Sequence, residues 1–291
     1  TMTLAALPTR LMASSQPFAG GKLSSFSDGS MNLPIESVFY DIFDDDRQKF
    51  LQAAKVSDGI WRRPVNVNLL EIGERKILFD VGSGLNFLPT LGELPAALEA
   101  ADVDISSITD VIFTHAHPDH IWGILDDFDD LLMPDAAYHI SQAEWDFWDS
   151  DDALTMMVPG RESFAVGAKS RFDKLRDQIS FFKGGDEILS DIEAVDTAGH
   201  TPGHVSFLIH NAAGPVLIAG DALTHPIISI EHPEWHNPAD MDREKAALTR
   251  KRLLDRLAVD KIGLAATHLP APGFGRVETN QSVWRYIAAD S

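Results

Sequence analysis

THAHPDHIWG, Thr114 to Gly123, places three histidines and an aspartate within the six positions His115–His120. Burying four polar side chains so close together is costly unless something binds them. The residue types are those that ligate divalent transition metals. In extended chain His115 and His117 fall on the same side, two residues apart. Pro118 then interrupts regular structure and turns the chain. Asp119 and His120 are thereby free to address a second centre.

Further along, other apolar runs end in metal-competent residues. VIFTH stops at His115, VLIAGD at Asp221 and GLAATH at His268, while His200 sits in the Gly-flanked loop TAGHTPGH. Residues at strand ends can converge on one edge of a layered sheet while the strands stay packed. A catalytic zinc site usually takes three protein ligands and keeps a position for water. His115, His117 and His200 supply one such set, and Asp119, His120 and His268 another. Asp221 remains, and its two carboxylate oxygens suit it to bridge both metals. The expected cofactor is a pair of divalent ions, zinc by default, with Mn, Fe or Co accepting the same ligands. Two such ions ~3.5–4 Å apart activate a bridging hydroxide near neutral pH. Asp119 and Asp221 are the catalytic candidates, holding the metals and shuttling a proton.

The rest of the 291 residues sets bounds. A hydrophobic fraction of 44% with 23% charged residues is ordinary for a globular protein. The formal charge of -20, with 44 acids against 24 bases, speaks against binding nucleic acid. There are no cysteines, which excludes disulfides and thiolate ligands. No apolar run approaches the ~18 residues of a membrane span. The opening TMTLAALPTRLMASSQPFAG lacks a basic start and a long apolar segment, so it does not read as a signal peptide. The cytoplasm is therefore the expected compartment, or the periplasm or exterior if a longer precursor lost a leader.

Strands and helices interleave without a clear linker, giving an N-terminal arm over 1–35 and one catalytic domain over 36–291. VNVNLLEIGERKILFDVG (Val65–Gly82) reads as a hairpin around a Gly-Glu turn. LPTLGELPAALEAADV reads as a helix with an early proline, and SQAEWDFW as a helix capped by Ser141 with Glu144 three residues on. DMDREKAALTRKRLLDRLA is the clearest amphipathic helix. The acidic runs DIFDDDRQ and DDFDD read as solvated surface. His139, His204, His210, His232 and His236 read as surface or hydrogen-bonded core histidines. Gly82 and Gly84 in DVGSG read as a tight turn beneath the metals.

HAHPDH, GHTPGH, GDALTH and THL resemble, in identity and order, the motifs of the metallo-β-lactamase superfamily, and they span most of the chain. That resemblance implies an α/β fold, an αββα sandwich of two mixed sheets flanked by helices, with a dinuclear centre at one edge. It implies the same grouping of the seven ligands, with Asp80 of ILFDVG orienting them from behind. GSGLNFLPTLGELPAAL, FFKGGD and HLPAPGFGRV are similar to the methyl parathion hydrolase-like branch, which includes lactone and ester hydrolases. DALTHPIISIEHPEW departs from it, placing His225 where the branch varies.

The expected substrate is an uncharged lactone or aryl ester, with phosphotriesters as a side activity. It would be held by an apolar wall of Phe87, Leu88, Trp148 and Phe274, with His225 facing it. The expected partner is that small molecule, not nucleic acid or membrane, and a homodimer is compatible with the sequence. Competing readings are a glyoxalase II-like thioesterase, a β-lactamase and a non-catalytic metal-stabilised module. The first lacks a visible basic substrate region, and true β-lactamases often carry Cys where this chain has Asp221. A flavodiiron oxidoreductase would usually carry Glu in place of His117.

Overall fold

Val65–Gly82 folds as the expected hairpin. Strands β3 (Ile60–Ile72) and β4 (Arg75–Phe79) pair antiparallel, with Ile72 opposite Arg75 across Gly73–Glu74. The structure, a computed structural model, describes residues 14–18, 20–38, 48, 49, 51, 52, 54, 56–237, 239–281 and 283–289. Around the hairpin a seven-stranded sheet forms in chain order: β1 (Ser14–Phe18), β2 (Gly21–Pro34), β3, β4, β5 (Asp110–Ile112), β6 (Ala137–Ser141) and β7 (Ile179–Phe182). A second seven-stranded sheet runs in order from β8 (Glu187–Leu189) through β9 (Ile192–Asp196), β10 (Val205–Ile209), β11 (Val216–Ile218), β12 (Gly263–Ala265) and β13 (Phe274–Asn280) to β14 (Val283–Ala288). Both sheets are mixed: β4 to β7 pair in parallel, as do β11 and β12, and the other pairings are antiparallel.

Period-two alternation explains the layering. Leu70, Ile77, Phe79 and Ile112 of the first sheet share one buried cluster with Val205, Phe207, Ile209, Ile218 and Ala265 of the second. Their neighbours point the other way. Leu69, Leu78 and Val111 meet α1 (Leu94–Ala100) and α4 (Glu162–Leu175). Leu208, Leu217 and Leu264 meet α5 (Arg243–Asp260). Successive side chains of a strand face opposite sides, so each sheet is covered on both faces, in the order helix, sheet, sheet, helix.

Local chemistry sets the helix ends. Asp242 caps α5 by accepting the Lys245 N–H at 3.0 Å. The helix read over Leu88–Val103 is shorter than expected. Gly92 takes φ +86° and α1 begins at Leu94, with Pro95 in its first turn. DDFDD is solvated as expected, whereas most of DIFDDDRQ and residues 1–13 lie outside the described residues. Among the described residues no helix is long and apolar enough to cross a membrane.

The segment read as an N-terminal arm is corrected over its described part. β2 pairs with β3 along most of its length, and Leu23 and Phe26 are core residues. Those apolar residues have a sheet face to cover, which an arm lacks. The β2–β3 register shifts between Ser27 and Ser30, and there Asp28 turns inward. It accepts N–H bonds from Ser83 (2.9 Å) and Leu94 (3.0 Å), joining the DVGSG turn to the start of α1. A Cβ on Gly82 would lie 2.4 Å from the Asp28 carboxyl carbon, so glycine is required at that turn.

Burial pushes the Asp28 carboxyl up to about 6, against the lowering effect of those N–H donors. With its folded pKa above the ordinary 3.8, Asp28 adds stability fully present below pH ~4 and lost as pH rises through ~6. The stability difference between wild type and Asp28→Asn should therefore shift in favour of wild type by about 1 kcal/mol between pH 7.5 and 5. Urea unfolding at both pH values measures it, and a difference independent of pH contradicts the assignment.

Candidate metal centre

β5 delivers the first ligands. Thr114 follows it, and His115 and His117 project from the loop before Pro118 starts the single turn α2 (Pro118–Ile121), which carries Asp119 and His120. His200 lies in the β9–β10 loop, Asp221 just after β11, and His268 after β12. All seven candidate ligands are buried, none more than 7% exposed. Three overlapping groups have donor atoms within 4.8 Å of one another: His115, His117 and His200; His115, His120 and Asp221; and Asp119, His120 and His268.

The spacings describe two adjoining cages. In the first, His117 Nδ1 lies 3.0 Å from His115 Nε2 and 2.9 Å from His200 Nε2, which is 3.4 Å from Asp221 Oδ2. In the second, His268 Nε2 is 3.2 Å from Asp119 Oδ2 and 3.1 Å from Asp221 Oδ1. His120 Nε2 is 3.5 Å from Asp119 Oδ2 and 3.3 Å from Asp221 Oδ1. Ligands ~2.0–2.1 Å from a tetrahedral metal stand roughly 3.3 Å apart. Asp221 thus turns one oxygen to each cage. Among the described residues, Asp119 Oδ2, His120 Nε2, Asp221 Oδ1 and His268 Nε2 are buried atoms without a hydrogen-bond partner. Four such atoms converging on one point fit a cation, because buried polar groups otherwise find partners.

Electrostatics agree. Burial, then crowding by neighbouring imidazoles, holds His115 well below its ordinary value; burial and His200 do the same at His117. Both are therefore neutral, the form that ligates metal. Burial alone would raise Asp119 and Asp221. Histidines His120 and His268 around both, with His200 also beside Asp221, outweigh it and hold both carboxyls well below the usual range. Burial likewise opposes protonation of His120, but Asp119, Asp80 and Asp221 raise it well above its ordinary value. The second cage is built for positive charge.

Behind the ligands stands a layer of orienting contacts. Asp80, expected in this role, accepts from Thr114 N–H (2.8 Å) and meets His120 Nδ1 at 2.8 Å. Asp240, which the sequence reading missed, meets His200 Nδ1 at 2.9 Å and is itself held by Arg250 at 2.7 Å. His268 Nδ1 faces the Pro64 carbonyl at 2.8 Å. His204 is a hydrogen-bonded core histidine, its Nε2 accepting the Asp221 N–H at 3.0 Å. Such partners fix ring orientation and tautomer. The DVGSG turn lies beneath the centre: Val81 N–H donates to His120 carbonyl and Gly123 N–H to Gly82 carbonyl.

Glu144 was read only through its place in a helix cap. Ser141 does cap α3 (Gln142–Trp148), accepting the Glu144 N–H. The Glu144 carboxylate goes elsewhere. Fully buried, it accepts from Ala116 N–H (2.9 Å), Trp148 Nε1–H (2.7 Å), Thr201 O–H (2.7 Å) and Gly203 N–H (3.0 Å). One side chain therefore ties the His115–His117 loop to the His200 loop. A glutamate in a first helical turn gives no sign in sequence of such distant partners.

A cavity of about 530 Å³ opens over the centre, with His117, Asp119 and Asp221 in its lining. Phe87 and Leu88 line it as expected. Three expected wall residues do not. Trp148 is 1% exposed, ring-on-edge against His117 at 5.6 Å, with its N–H spent on Glu144. Phe274 begins β13, so its ring enters the core between the sheets. His225 turns back to accept the Ile227 N–H and faces Trp61 in a separate cavity of about 250 Å³; burial and then Arg63 lower it to about 3. In their place the wall has Met31, Leu33, Val158 and Phe164, with Arg63, Arg161 and Asn237 as its polar members.

Residues 60–277 match the family described as the Metallo-beta-lactamase superfamily. An uncharacterized Bacillus subtilis (strain 168) protein, YobT, is 29% identical over 199 residues, 66% of this chain and 79% of its own. Among solved structures, AidC, a dizinc quorum-quenching lactonase in complex with a product, is 25% identical with a TM-score of 0.88, over 96% of this chain and 98% of that one. The hydrolase AbOPH of the beta lactamase superfamily has the same TM-score and coverage at 23% identity, a likeness of fold.

Two substitutions test the centre. Asp221→Ala removes the carboxylate facing both cages and should leave well under one equivalent of metal where wild type should hold two, by elemental analysis after chelator-free purification. A variant retaining both equivalents overturns the bridging position. Glu144→Gln puts an amide N–H against N–H and O–H donors. It should weaken metal retention about 10–100-fold in chelator competition, and wild-type resistance to chelator would contradict the tie between the two loops.

Proposed function

The chain belongs to the metallo-beta-lactamase superfamily, and on that premise we propose that it hydrolyses lactones or aryl esters at a dinuclear zinc centre, with phosphotriesters as a side activity. The observation carrying this reading is Asp221, whose two oxygens face separate cages at the floor of a largely apolar cavity. His115, His117 and His200 would hold one ion, Asp119, His120 and His268 the other, and Asp221 both. Bound there, two such ions would supply water activation near neutral pH and polarisation of the substrate oxygen.

The protein's own groups do the rest. Asp119 lines the cavity, so its carboxylate is placed beside the incoming water to relay the proton that water releases. Phe87 and Phe164 meet edge to face at 5.8 Å, and Phe164 also meets the His117 ring at 5.7 Å. Together with Met31, Leu33 and Leu88 they exclude water and offer aromatic faces to an aryl or acyl group. The likeness to a dizinc lactonase over nearly the whole of both chains supports the lactone half of this reading.

The test is a panel of lactones, aryl esters, phosphotriesters, a β-lactam and a glutathione thioester, with protein carrying two zinc equivalents. Lactones or aryl esters should turn over fastest. Phe164→Ala should lower kcat/KM for aryl esters about tenfold more than for small aliphatic ones, the order of one lost aromatic contact. Turnover restricted to the β-lactam or the thioester sinks the proposal.

A further inference from the structure

Arg63 is a charged residue of the cavity wall whose surroundings, among the described residues, leave most of its donors unused. It lies on β3, 6% exposed, with its backbone carbonyl accepting the Ser30 hydroxyl. Its guanidinium lies 5.3 Å from the Trp61 ring centre, and its single side-chain hydrogen bond runs from Nη2 to Asp221 Oδ2 at a long 3.4 Å. Nε is buried without a partner. A guanidinium offers five N–H donors in a planar fork. Holding one inside a protein on a single long bond is expensive.

Asp221 does not discharge this cation, because the same oxygen also faces His200 at 3.4 Å in the first cage. Arg63 thus has a cavity on one side and a carboxylate committed to the cages on the other. The group that fits is an anionic oxygen arriving with the ligand, and a carboxylate matches the fork in both charge and geometry. Hydrolysis makes that group: ester or lactone plus water gives carboxylate, alcohol and a proton released to solvent. Resting on the hydrolase reading above, we propose that Arg63 forms a carboxylate subsite beside the centre. It gathers the negative charge that develops on the acyl oxygen and holds the acid product.

The subsite has consequences for ligand choice. An acyl group ending in a carboxylate after ring opening gains a charge-assisted contact that a neutral ligand of the same length lacks. The acid product should accordingly inhibit competitively, and inhibition should weaken when the cation is removed.

The experiment is titration calorimetry of the zinc-loaded protein with 4-hydroxydecanoate, and with decane-1,4-diol as its neutral counterpart. Wild type should bind the acid at least tenfold more tightly than the diol. Arg63→Met should weaken acid binding about tenfold and leave diol binding unchanged, with two zinc equivalents retained, and Arg63→Lys should recover part of the loss. In turnover of γ-decanolactone, Arg63→Met should lower kcat and weaken product inhibition. If Arg63→Met binds the acid as wild type does, or if both variants shed zinc, Arg63 only braces Asp221 and the subsite is wrong. If acid binding depends on Arg63 but no lactone or ester is turned over, the hydrolase reading falls and the subsite stands.

Discussion

Everything at this centre depends on Asp221 presenting its two oxygens in opposite directions. Oδ2 faces the imidazoles of the first cage and Oδ1 those of the second. The backbone that holds it so is tightly constrained. Gly220 takes φ +52°, and a Cβ there would stand 2.8 Å from His204 Nε2 and 2.9 Å from Thr114. Only glycine allows this approach, and it lets His204 accept the Asp221 N–H. The histidine outside both cages is therefore what fixes the aspartate that faces both.

Much of this was legible in the sequence, for a definable reason. Strand ends are local features: VIFTH, VLIAGD and GLAATH each announce a buried run stopping at a polar residue, and that polar residue faces the cages. The alternation of Leu69, Leu70, Ile77, Leu78 and Phe79 similarly announces a sheet buried on both faces. Groups acting through distance were not legible. Asp240 reaches His200, Glu144 reaches Ala116 and Gly203, and Arg63 reaches Asp221, each across a gap that no periodicity encodes.

The wrong expectations share one cause. Trp148 was placed on the pocket wall by resemblance to a branch with an aromatic nearby, although its helical spacing favours the core, and Phe274 by its place in the PGFG loop. Aromatic rings near a site are divided between lining it and supporting it, and burial decides which. Trp148 supports His117 from behind, while Phe164 from the next long helix supplies the face that the cavity sees. The arm fails similarly: SSFSDGSMN looks polar enough for a loop, yet Ser24, Ser25 and Asp28 are buried within a strand, and Asp28 accepts two backbone N–H bonds there.

Each sheet is continuous in sequence, β1 to β7 and then β8 to β14, so the chain divides once, between Phe182 and Glu187. The ligands straddle that division: His115, His117, Asp119 and His120 come from the first half, His200, Asp221 and His268 from the second. A bound ion would therefore be a rivet between two halves that also meet through the apolar seam of Phe79, Ile112, Phe207 and Ile218 and through the Glu144 bonds to Thr201 and Gly203. Ligand binding restricted to the folded state adds about 4 kcal/mol at a thousandfold excess over Kd. The same atoms that prepare a reaction would then also set how firmly the two halves of the sandwich stay closed.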